Sequence, residues 1–63
     1  MSAPREVYFE FVAIGPQVKV TAIDSLTAVE VSILGPARAS QRDLETLALR
    51  KLTRRLGSSM GQG

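Results

Sequence analysis

The chain has 63 residues, 44% of them hydrophobic, and contains no cysteine, histidine or tryptophan. Disulfides are therefore excluded, a zinc site loses its preferred ligands, and neither a thiolate nucleophile nor an ordinary general base near neutral pH is present. The formal net charge of +2 hides an asymmetry: residues 1–37 hold Arg5 and Lys19 against Glu6, Glu10, Asp24 and Glu30, whereas residues 38–63 hold Arg38, Arg42, Arg50, Lys51, Arg54 and Arg55 against Asp43 and Glu45.

Residues 1–4 read as a loose start. From Arg5 to Ile14 the sequence alternates, with Val7, Phe9, Phe11 and Ala13 on one face and Glu6, Tyr8, Glu10, Val12 and Ile14 on the other, which predicts a strand. Gly15-Pro16-Gln17 punctuates it, because glycine accepts positive φ and proline cannot donate to a ladder. Alternation resumes from Val18 to Ile23, stops at Asp24-Ser25-Leu26-Thr27, whose side chains bond their own backbone in turns, and returns from Ala28 to Leu34. Connections this short close hairpins and cannot house a parallel crossover, so the three strands form an antiparallel meander.

Gly35-Pro36 is expected to end the third strand, and Ser40 stands where a helix N-cap belongs, with Asp43 three residues on. A helix is predicted from Gln41 to Leu56, stopping before Gly57 at a left-handed glycine cap. The expected architecture is an α+β domain of order βββα over residues 5–56, followed by a flexible tail at 57–63.

At about 100° per residue, with Leu44 set at zero, Leu47 falls near 300°, Ala48 near 40°, Leu52 near 80°, Leu56 near 120° and Leu49 near 140°. This arc is wider than the apolar stripe one sheet face needs. Either Leu49 flanks the core half exposed, or the helix packs on both its own sheet and a second subunit. A domain of about 60 residues buries only about 60% of its unfolded surface, disulfide and zinc staples are absent, and three strands leave two open edges. A homodimer answers these needs, through edge pairing or exchange of the helix across Gly35 to Ala39, with Leu47, Leu49, Leu52 and Leu56 as interface candidates. Phe9, Phe11, Val20, Val31, Leu44 and Leu52 are expected in the core.

Arg50, Lys51, Arg54 and Arg55 form the strongest charge feature and suit nucleic-acid phosphates or an acidic protein partner. The plainer reading is a solvated face whose cations favour the negative end of the helix dipole. Glu10 and Glu30 approach each other across the sheet beside Lys19, and Ser25, Ser32 and Ser40 lack an evident activating partner, so no catalytic site, cofactor or metal is expected. No segment has the roughly 20 apolar residues of a membrane span and no leader precedes the first strand, which makes a cytoplasmic location the expectation.

The segments Val7-Tyr8-Phe9-Glu10-Phe11, Val18-Lys19-Val20-Thr21-Ala22-Ile23-Asp24, Glu30-Val31-Ser32-Ile33-Leu34-Gly35-Pro36 and Leu47-Ala48-Leu49-Arg50-Lys51-Leu52 resemble a family of short alphaproteobacterial proteins, a domain of unknown function. That family favours a Thr-Gly step where this chain has Thr27-Ala28. The resemblance implies a bacterial source and a compact strand-helix domain, and it transfers no site residue. Two readings of function follow: a non-enzymatic homodimeric interaction or adaptor module with a protein partner, and a nucleic-acid-binding accessory protein that uses the basic helix.

Overall fold

The computed structural model describes residues 5–59, so the predicted loose start at 1–4 and the last four residues of the predicted tail lie outside the described residues. Strands β1 (Val7–Ile14), β2 (Gln17–Asp24) and β3 (Glu30–Pro36) precede one helix, α1 (Gln41–Ser59). The strands form an antiparallel sheet in the order β1-β2-β3, and α1 packs on one face of it, giving the βββα order and α+β class that the alternation predicts.

Each connection has a local cause. Ile14 pairs with Gln17, which leaves Gly15-Pro16 as a two-residue turn. Gly15 takes a φ of +58°, as the first central residue of a type II′ turn requires. Between β2 and β3, the Asp24 carboxylate accepts hydrogen bonds from the Thr27 amide (2.9 Å) and hydroxyl (2.8 Å), while the Ala28 amide donates to the Asp24 carbonyl at 2.8 Å. Within this loop Ala28 sits at φ +63°, the left-handed conformation that favours glycine. At the helix start the Ser40 hydroxyl accepts from the Asp43 amide at 3.0 Å, the N-cap bond anticipated from the sequence.

Every element has a boundary that differs from expectation: β1 starts at Val7 and not at Arg5, and β2 takes in Gln17 and Asp24 at its ends. β3 begins at Glu30, because residues 25–28 are taken by the Asp24-centred loop, and it continues through Gly35 and Pro36, which pair with Val18 and Gln17. Proline is tolerated there because the backbone groups of alternate residues on this outer strand point away from β2, so its missing N–H breaks no ladder bond. Gly35 faces the helix, and Leu44 packs against its bare Cα. The helix also passes through Gly57 to Ser59: Gly57 has no positive φ, so no left-handed cap forms where one was predicted.

The core is a narrow column. Val20, Ala22 and Val31 from the sheet meet Leu44, Ala48 and Leu52 from the helix, an i, i+4, i+8 stripe, all of them buried. The expected burial of Phe9 and Phe11 is not complete, because α1 lies over β2 and β3 and leaves the inner face of β1 only partly covered. Among the described residues no helix is long and apolar enough to cross a membrane.

Candidate interaction surface

The sheet's two edges differ chemically. On β3, the Lys51 ammonium crosses from α1 and donates to the Ser32 carbonyl at 2.7 Å. That carbonyl therefore points out of the sheet, and a lysine satisfies it, a common way of blocking edge pairing. On β1, the Ser25 amide donates to the Glu6 carbonyl (2.9 Å) and the Glu6 amide donates to the Ser25 hydroxyl (3.0 Å), so Glu6 directs its backbone groups toward β2. Antiparallel alternation then turns Tyr8, Glu10, Val12 and Ile14 toward β2 and leaves the N–H and C=O groups of Val7, Phe9, Phe11 and Ala13 pointing outward. Within Val7–Ile14 there is no proline, glycine, lysine or arginine. Glu10 is its one charge.

The same outward residues carry the half-covered side chains. Phe9, Phe11 and Val7 are half-buried beside the core, and Ala13 is exposed. Two pockets lie between β1 and α1: Val7, Leu49 and Leu56 line one, and Phe11, Ala13 and Leu44 line the other. Leu49, 41% exposed, lines the first of these on the helix side, whereas Leu47, 50% exposed, lies on the opposite flank near the Lys51 side. Of the four proposed interface leucines, Leu49, Leu52 and Leu56 thus line one pocket, and Leu47 lies apart from them. Leu52 is buried against its own sheet and is not presented to a partner in this fold, whereas Leu56 is half-buried. Helix exchange would have to lift Leu44, Ala48 and Leu52 out of their own core.

The outer sheet face also has apolar character. Tyr8, Val12, Ile14 and Leu34 are each about half exposed, around a central Thr21–Ser32 hydroxyl pair at 2.9 Å. Tyr8 donates to the Glu6 carboxylate at 2.7 Å, and that bond, with the adjacent negative charge, raises the phenol pKa. The structure does not bring Glu10 and Glu30 together: Glu10 lies opposite Thr21 and Glu30 opposite Ile23, on strands separated by β2. The three serines serve the backbone or a threonine hydroxyl: Ser25 accepts from the Glu6 amide, Ser32 pairs with Thr21, and Ser40 caps the helix.

Asp24 was legible as a turn residue but not as a buried charge. Its side chain is fully buried, with the Arg5 Nε 2.7 Å from its second oxygen. Burial by itself would raise its pKa; the Thr27 hydroxyl and amide and the Arg5 guanidinium outweigh that and hold it below the ordinary carboxylate value. This cluster ties the segment before β1 to the β2–β3 loop and is a structural clasp.

The basic residues of α1 are all exposed, as the helical pattern predicts, but they do not act alike. Lys51 is committed to the β3 edge. Arg50 and Arg54 continue a ridge begun by Arg42, with Thr46 between them, at intervals of four residues along the outward side of the helix. Among the described residues no ion pair involves these three arginines. Arg55 lies off the ridge, on the side of the core stripe.

A model of the family described as Domain of unknown function (DUF6898) matches residues 4–59, a span that contains all four elements, and the chain belongs to that family. No curated protein and no solved structure matches the chain.

Proposed function

We propose that this member of the family is a non-enzymatic interaction module that works as a homodimer. The observation that carries the reading is the lateral offset of α1: it covers β2 and β3 and leaves β1 with an edge that is bare among the described residues, half-covered phenylalanines and the exposed Leu49. Self-association covers aromatic surface that the single chain leaves wet, and apolar burial contributes about 25 cal/mol per Å². The outer sheet face, with Val12, Ile14 and Leu34 beside Lys19, is then the surface offered to a protein partner. Sedimentation velocity over a wide concentration series tests the dimer: a shift from monomer to dimer supports it, and a monomer mass at every concentration refutes it.

A second reading rests on the Arg42, Arg50 and Arg54 ridge, which matches an anionic polymer such as nucleic acid. Its signature is retention on a nucleic-acid column at low salt that is lost when Arg50 and Arg54 are reversed to Glu. Each phosphate contact removed lowers the salt slope by about 0.9. Absence of retention removes this reading and leaves the dimer untouched.

A further inference from the structure

We infer that a second copy of this chain pairs antiparallel with the β1 edge, with Phe11 on the twofold axis, so that two three-stranded sheets become one of six strands. This rests on the homodimer reading and assigns its seam.

Four observations select it. The β3 edge is blocked by Lys51 on the Ser32 carbonyl, so β1 is the edge left to template a strand. The outward backbone groups on β1 belong to Val7, Phe9, Phe11 and Ala13, whose side chains share the inner face, so edge pairing also sets the two half-covered aromatic surfaces side by side beneath the two helices. Charge then restricts the register. A twofold at Tyr8 places Glu6 opposite the partner's Glu10, and a twofold at Glu10 places that carboxylate opposite its own copy; like charges directly opposite are destabilising.

Of the centres that remain, Phe9, Phe11 and Val12 pair the most residues, and strand length decides between them. About Phe11, every residue from Tyr8 to Ile14 finds a partner within β1, whereas about Phe9 only Val7 to Phe11 do and about Val12 only Glu10 to Ile14. The Phe11 register also opposes large with small, because Phe9 meets the partner's Ala13. On the outer face it sets Glu10 opposite the partner's Val12, with no charge facing a like charge.

Disulfide trapping tests this directly, since the chain has no native cysteine. Glu10 and Val12 sit between the hydrogen-bonded pairs of the new ladder, where facing Cβ atoms approach to about 4.5–5.5 Å, close to disulfide geometry. The double variant Glu10→Cys/Val12→Cys should form a covalent dimer on mild oxidation, while each single variant should not. Crosslinking in Tyr8→Cys/Glu10→Cys in its place would report the Phe9 register and overturn the assignment. A second variant guards against misfolding: Ala13→Pro removes an outward N–H while sparing every β1–β2 bond, so it should keep the wild-type circular dichroism spectrum and lose the dimer. If the wild-type chain sediments as a dimer but the cysteine pair stays unlinked, or Ala13→Pro remains dimeric, the seam is wrong and the homodimer stands. If the wild-type chain is a monomer throughout, both fall.

Discussion

Replacing Ala28 by glycine should stabilise this protein, and the size of the gain follows from one dihedral angle. Ala28 lies in the β2–β3 loop at φ +63°, is exposed to solvent, and donates its amide to the Asp24 carbonyl. The left-handed conformation costs an L-residue about 1–2 kcal/mol through contact of Cβ with the carbonyl oxygen. Glycine escapes that contact but loses about 0.4–1 kcal/mol through its freer unfolded chain. Removing an exposed methyl group sacrifices no core packing, so Ala28→Gly should gain about 0.5–1 kcal/mol. For a domain of this size the gain amounts to a Tm rise of about 2–8 °C. Thermal and urea unfolding followed by far-ultraviolet circular dichroism, at matched protein concentration because association shifts the midpoint, would measure it. The urea midpoint should rise with an unchanged slope. Ala28→Val should move the other way, since a β-branched residue tolerates positive φ least. A Tm for Ala28→Gly equal to or below wild type would refute the strain reasoning.

Three further outcomes follow from the core and the clasp. Leu52→Ala removes a fully buried side chain from a one-layer core and should cost about 2–5 kcal/mol, enough to leave the chain largely unfolded by circular dichroism; a wild-type Tm would contradict the packing of α1. Gly35→Ala places a methyl group onto Leu44 and should destabilise by about 1–3 kcal/mol through overpacking, read as a lower urea midpoint. Because the folded pKa of Asp24 is depressed, its clasp contributes fully above the unfolded carboxylate value of about 3.9 and is lost as pH falls through the folded value. Asp24→Asn should therefore reduce the stability difference between pH 6 and pH 3, and an unchanged difference would show that Asp24 does not govern acid sensitivity.

Much of the fold was legible because it is governed by local periodicity. Two-residue alternation marks the strands, Gly15 marks the first turn, and Ser40 with the Leu44, Ala48 and Leu52 spacing marks the helix and its buried face. What escaped was governed by lateral placement. Alternation assigns Phe9 and Phe11 to the helix side of the sheet but does not say how far α1 sits from β1, and it is this offset that leaves them half-covered. The pairing of Lys51 with Ser32 is likewise a contact between elements, invisible in a helical wheel that shows Lys51 only as one of several cations. On a helical wheel the leucines form one wide arc, yet Leu47 and Leu49 border the core stripe on opposite sides. Ala28 shows a different limit: the Asp24 loop requires a left-handed residue at that position, and the chain supplies one at an energetic cost that alanine's ordinary preferences do not announce.

The seam is most directly tested by residue-resolved amide hydrogen exchange at a concentration where sedimentation reports association. The Glu10 amide faces β2 and should be protected at all concentrations, serving as an internal reference. The amides of Phe9, Phe11 and Ala13 face outward, and pairing about Phe11 gives each of them a partner carbonyl, so their protection should appear together with the dimer and fade on dilution. Rapid exchange at Phe9, Phe11 and Ala13 in a solution that is fully dimeric would contradict the account.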